Sequence, residues 1–259
     1  MRRTGQRGNR GRVRRALWLV ALLVAGCASA PEVRDHREAA DSHAGVGLHL
    51  LREGQFGPAT ERLERALELQ PEHPRALAGL GLVLEMEGAP EAALDHHRRA
   101  VAAAPESGAL RNNLGRVLCR HGDVTEALEH LEAAASAPAY ARPEVPLTNA
   151  AICALDHGDI EAAHRYTDAA LKAAPDFPAA WRSRGEILQL QGEASEAVEA
   201  LERYAEVAGM LSPRGLYWAV HANRAAGMEG RADAYRRQLH EHYPDSRYAE
   251  RLKGERGTR

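Results

Sequence analysis

An all-α fold of about six helix-turn-helix repeats is predicted by two features of the sequence. Fifty of its 259 residues are alanine and only two are phenylalanine, a composition that favours closely packed helices, because Ala has the highest helix propensity and adds the least bulk between backbones. Small residues and prolines also recur at a fixed offset. Pro71 and Pro105 are 34 residues apart, and the same offset relates Gly47 to Gly81, Gly54 to Gly88, Ala59 to Ala93 and Ala66 to Ala100. A recurrence of this length marks one supersecondary unit that buries its apolar side only by stacking on the next.

The frame continues through Leu114, Gly115, Leu118, Gly122, Ala127, Leu131 and Ala134. It resumes two residues late with Ala151, Gly158, Ala163, Ala170 and Pro175, and returns with Trp181, Gly185, Leu188, Gly192, Ala197 and Leu201. This pattern resembles the tetratricopeptide repeat, two antiparallel helices with small residues at positions 8 and 20, alanine at 27 and proline at 32. Small residues let the two helices approach, the proline stops the second helix, and glycines at 54, 122 and 192 mark turns that a left-handed residue can close. The repeats fall at 40–73, 74–107, 108–143, 144–177, 178–212 and 213–246, with 247–259 as a terminal cap and tail. Two departures stand out. The third repeat lacks its closing proline and runs through Ala137–Pro143, with Pro146 early in the next helix; the sixth carries Val220 at position 8.

The first 26 residues differ from all that follows. They hold seven arginines and no acid, then the apolar run Ala16–Ala25, which has signal-peptide length and is too short to span a bilayer. Val24-Ala25-Gly26-Cys27 resembles the bacterial lipobox. The resemblance implies cleavage between Gly26 and Cys27, diacylglycerol on the Cys27 sulfur, further acylation of the new amino terminus and, with Ala28 next, sorting to the outer membrane, facing the periplasm. The alternative is an ordinary secretory signal that happens to end near a cysteine. Several acyl chains on one residue anchor stably where one does not. Residues 27–39 read as a polar tether leading into the first helix. From Cys27 onward the chain has 27 basic and 36 acidic side chains, which disfavours nucleic-acid binding.

No chemistry of bond-making is visible. The sequence has no Gly-x-Ser-x-Gly elbow, phosphate loop or His-Glu-x-x-His run, so it reads as no enzyme, with no metal, no cofactor beyond acyl groups on Cys27 and no small-molecule substrate. His97 falls at an interhelical position, His121 and His157 lie beside turns, and His240 and His242 point to different faces. Cys119 and Cys153 sit on successive first helices; two separate packed thiols are favoured over a disulfide, whose distance the sequence does not fix.

Positions 2, 5, 9, 12 and 13 of each first helix face the concave side of such a stack. They supply Leu48, Leu51, Leu82 and Met86 in the first two repeats, then Asn112, Arg116, Ile152 and Leu155, with Asn113 and Asn149 at position 6. Together these form a candidate groove for a polypeptide, with amides for backbone pairing and an arginine for carboxylates. The competing expectation is that they pack beneath the tether or on each other. Lipobox, tether, six repeats, the Pro-rich third joint and Tyr243-Pro244-Asp245-Ser246 together resemble the type IV pilus biogenesis lipoproteins of the PilF, PilW and Tgl type. That resemblance implies a pilotin, which binds subunits of the outer-membrane secretin and promotes their insertion and multimerisation. A lipid-anchored scaffold for cell-envelope or peptidoglycan-remodelling complexes shares every feature except the partner.

Overall fold

The computed structural model of the protein describes residues 31–255, so Gly26, Cys27 and the signal segment lie outside the described residues. Thirteen helices and no strand are found among the described residues, and none of these helices is long and apolar enough to cross a membrane. The chain divides into two units, residues up to Gly79 and residues from Leu80 onward, and each is described by itself.

In the first unit, α1 (Pro31–Arg52) pairs with α2 (Phe56–Leu69), and α3 (Pro74–Met86) contributes its opening residues. The segment 31–39, expected as a tether, is the start of α1. Proline is favourable in a first turn, where its missing N–H breaks no helical bond, and Glu32, Arg34, Glu38 and Ala39 are good helix formers. Asp35–Glu38 remain exposed, and burial begins at Ala40 and Ala44. Gly47 lets α1 approach α2: a Cβ there would lie 2.7 Å from Leu63 Cγ. Gly54 closes the turn at φ 73°, a left-handed conformation that side chains with a Cβ disfavour. His73, 2% exposed, holds the entry to α3 by accepting from the Ala76 N–H at Nδ1 (3.2 Å) and facing Asp41 Oδ1 at 2.9 Å through Nε2.

The second unit contains the rest of α3, then α4 (Pro90–Ala103), α5 (Gly108–His121), α6 (Val124–Ser136), α7 (Glu144–Asp156), α8 (Ile160–Ala173), α9 (Pro178–Gln191), α10 (Ala194–Ala208), α11 (Pro213–Ala225), α12 (Glu229–His242) and α13 (Arg247–Gly254). The hairpins α5–α6, α7–α8, α9–α10 and α11–α12 stack in order. Successive first helices α5, α7, α9 and α11 pack closely, as does each second helix with the first helix that follows, whereas successive second helices stand further apart and meet through long side chains, as Arg98 does with Glu126, Tyr166 with Glu132 and Arg231 with Glu202. The first helices therefore form the tighter, inner layer of this unit. α13 packs on α11 and α12 and buries Ala249 and Leu252, closing the last hairpin.

The small residue at position 8 is explained by its cross-helix neighbour. A Cβ on Gly115 would meet Leu131 Cγ at 2.7 Å, and one on Gly185 would meet Leu201 Cγ at 2.5 Å. Gly81 instead faces the ring of His97, 2.8 Å from the same hypothetical carbon. The turn after α5 departs from the expected one: Gly122 has φ −140°, so it closes no left-handed turn. Asp123 follows at once and caps α6 by accepting from the N–H groups of Thr125 (2.7 Å) and Glu126 (3.3 Å), which satisfies the orphan donors of the helix start. In the irregular third joint, Tyr140 folds back against Gly108, whose hypothetical Cβ would lie 2.8 Å from Tyr140 Cβ. Pro146 sits in the first turn of α7, where it costs no helical hydrogen bond.

Candidate functional site

The inner layer of the second unit carries two centres built from arginine and carboxylate. The first gathers on Glu85 of α3. Arg116 of α5 donates to both its oxygens, at 2.9 and 2.8 Å, Arg120 donates as well, and His97 Nε2 of α4 approaches at 3.0 Å. Burial alone would raise the Glu85 carboxyl, but the bonds from His97 and Arg116 override it and hold it at about 2. A carboxylate accepting several donors is stabilised in its charged form.

The second centre lies where α7, α9, α11 and α13 meet. Arg214 of α11 donates two bonds to Glu186 of α9, at 2.8 and 2.6 Å, and a third to Asp156 of α7 at 2.9 Å. Burial would lower its pKa; the bonds to Glu186 and Asp156 outweigh that and raise it. Beside this cluster is a cavity of about 300 Å³ whose walls include Tyr217, Trp218 and Tyr248. Tyr217 stands edge-on to Trp218 at 5.3 Å and tilted to Tyr248 at 5.5 Å. Arg247 lies 4.9 Å over the Tyr248 ring and Arg251 lies 5.1 Å over the Tyr217 ring, cation–π arrangements. Burial and a hydrogen bond donated to Glu255 at 2.9 Å push the Tyr217 hydroxyl up to about 12.

The candidate groove residues separate into available and occupied ones. Leu48 and Leu51 are half-buried in the first unit. In the second, Leu82, Asn113 and Ile152 are half-buried and Met86 is 62% exposed. Asn112 is buried and accepts from the Asn149 amide at 2.8 Å, so these amides are spent on each other across α5 and α7 rather than offered to a peptide backbone. Arg116 is spent on Glu85, and Leu155 is core, packed with Ala154, Ala162, Ala163 and Ile187. Glu85, Arg120, Asp156, Glu186, Arg214 and Tyr217, which are not among the residues expected from the sequence, all occupy the same five helix positions in their own repeats. The residues of α13 had no such signal.

Cys119 and Cys153 form a disulfide between α5 and α7, with Cα atoms 5.7 Å apart, in place of the two separate thiols favoured above. The 34-residue offset puts them one repeat apart on adjacent first helices. His157 lies close by, its ring nitrogen and the two sulfurs all within 4.8 Å of one another, but the sulfurs are already bonded and His157 Nδ1 is 2.9 Å from the Cys153 carbonyl. That set would offer metal ligands only after reduction.

Two family models, both described as tetratricopeptide repeat, match this chain, one at residues 45–107 and 148–213 and the other at 84–139. No curated protein sequence matches it. Among solved structures, it resembles PilW, described as a widely conserved type IV pilus biogenesis factor, at 23% identity and TM-score 0.72 over 82% of this chain and 97% of that one. It resembles PilF of Pseudomonas aeruginosa at 24% identity and TM-score 0.71 over 85% of this chain and 99% of that one. Cut9, in a complex with Hcn1, aligns at 16% identity and TM-score 0.71 over 92% of this chain and 45% of its own.

Proposed function

Because this chain belongs to the tetratricopeptide-repeat family, whose members act as scaffolds for other proteins, we propose that it is an outer-membrane lipoprotein that binds secretin subunits and promotes their insertion and multimerisation for type IV pilus assembly. The observation that carries the reading is the near end-to-end likeness to two type IV pilus biogenesis proteins, 97% and 99% of whose lengths are spanned. The lipobox-like Val24-Ala25-Gly26-Cys27 supports an acylated anchor at Cys27.

The action is binding and involves no bond chemistry. Leucine and methionine side chains left accessible on the inner helices, Met86 at 62% and Leu190 at 48% exposure, supply apolar area whose burial against a partner contributes about 25 cal/mol per Å². An acyl anchor holds that surface at one membrane and raises the effective concentration of a captured subunit there, which speeds assembly without any added contact. Deleting the protein abolishes heat- and detergent-resistant secretin oligomers if the reading is right; normal oligomers in the deletion strain overturn it. Cys27→Ser removes lipid labelling and membrane attachment while leaving the helical content unchanged.

A further inference from the structure

The cavity beside Arg214 has an unequal charge balance. Its two acids, Asp156 and Glu186, are both engaged by Arg214. Arg247 and Arg251, one turn apart on α13, are exposed and stacked on tyrosine rings. Among the described residues, Arg247 donates to the neighbouring Tyr248 hydroxyl, at 2.9 Å, and Arg251 Nε lies 3.9 Å from a Glu255 oxygen. Arg182, in the field of Arg214, Glu186 and Tyr248 though not part of the cavity wall, keeps a buried Nε with no hydrogen-bond partner among the described residues. Among the described residues the cavity wall therefore holds three guanidinium groups, Arg214, Arg247 and Arg251, against two carboxylates, with Glu255 adjoining it, in a chain that from Cys27 onward is acidic by nine charges, 27 basic against 36 acidic.

We propose that this cavity is a docking site for an acidic polypeptide segment, whose carboxylates meet Arg247 and Arg251 while an apolar side chain seats among Tyr217, Trp218 and Tyr248. A cation is disfavoured because both acids are engaged. A polyanion such as nucleic acid is disfavoured because the acidic body repels extended phosphate. The volume of about 300 Å³ is at the small end for ligand sites and suits one large side chain with its adjoining backbone. Guanidinium groups stacked on rings keep their N–H edges directed outward, the geometry that receives carboxylates in pairs.

The inference rests on the reading of the protein as a polypeptide binder, and names the chemistry of one of its contacts. It is tested by calorimetric titration of the full-length protein in detergent with the acetylated tripeptide Glu-Glu-Phe, amidated or with a free carboxyl end, and with Gln-Gln-Phe amide. The Glu peptides bind about tenfold or more tightly than the Gln peptide. Arg247→Ala with Arg251→Ala removes that preference at unchanged melting temperature, since both side chains are exposed, and Trp218→Leu weakens all three peptides together. Stronger binding of the free-carboxyl form assigns the site to a chain terminus, and equal binding of the two Glu forms assigns it to acidic side chains. Equal affinity for Glu and Gln peptides, indifference to the arginine pair, or binding to phosphatidylglycerol vesicles without peptide binding overturns the proposal. Loss of secretin oligomers on deletion with no peptide preference sinks this site alone, and peptide preference with normal oligomers sinks the secretin reading alone.

Discussion

The two arginine–carboxylate centres are both built from arginines and carboxylates of the inner helices and come to opposite ends. Around Glu85 the donors outnumber the acceptor: two arginines and a histidine converge on one carboxylate, and the centre is filled. Around Arg214 a single guanidinium is shared by two carboxylates, while Arg247 and Arg251 stand on tyrosine rings beside a neighbouring cavity, Arg251 3.9 Å from Glu255. Side-chain reach across the inner face thus decides what meets across repeats, and the local count of charges decides whether anything is left for a partner.

The contrast predicts unequal responses to mutation. Arg214→Ala removes the cation that donates two hydrogen bonds to Glu186, which is 5% exposed, and costs about 3–5 kcal/mol, the range for breaking a buried pair, read as a fall in the urea midpoint. Reducing the Cys119–Cys153 bond, whose ends are 34 residues apart, costs about 3–4 kcal/mol by release of unfolded-chain entropy, visible as a lower midpoint with reductant than without. Gly115→Leu drives a side chain into Leu131 and costs about 1–3 kcal/mol. Arg116→Ala leaves Glu85 with Arg120 and His97, so its cost stays near 1–2 kcal/mol, and a cost equal to that of Arg214→Ala would erase the contrast. Arg165→Ala, which breaks an exposed pair with Glu161 one turn away, changes stability by less than about 0.5 kcal/mol.

Acid sharpens the same comparison. The folded-state pKa of Glu85 is lowered from 4.5 to about 2, so the stability it contributes is full above 4.5 and is lost as pH falls toward 2. Glu85→Gln therefore flattens the acid limb of the stability profile in that window, as measured by urea midpoints between pH 2 and 5.

Much of the fold was readable because its determinants are local. Gly47, Gly115 and Gly185 mark close helix approaches in the sequence as they do in space, and the 34-residue offset carries the helix pairing with it. The first helix begins earlier than the sequence predicts, because a polar run without an apolar face looks like a tether, whereas Pro31 and the helix formers after it need no buried face to begin a helix. The site was less legible. Placing Asn112, Arg116 and Leu155 on the inner face did not reveal their occupation by Asn149, Glu85 and the α7–α9 core, since pairing across repeats depends on side-chain reach rather than on position. The cavity owes two arginines and a tyrosine to α13, which lies outside the repeat frame.

The central claim, that the inner helical layer grips another polypeptide, is tested most directly by placing a photoactivatable cross-linking residue at Met86, on the inner side, and separately at Arg165, an exposed residue on a second helix, in cells that express the pilus secretin. The account predicts a covalent adduct between the protein and a secretin subunit from Met86 and little or none from Arg165. Adducts of equal yield from both positions, or none from Met86, would contradict it.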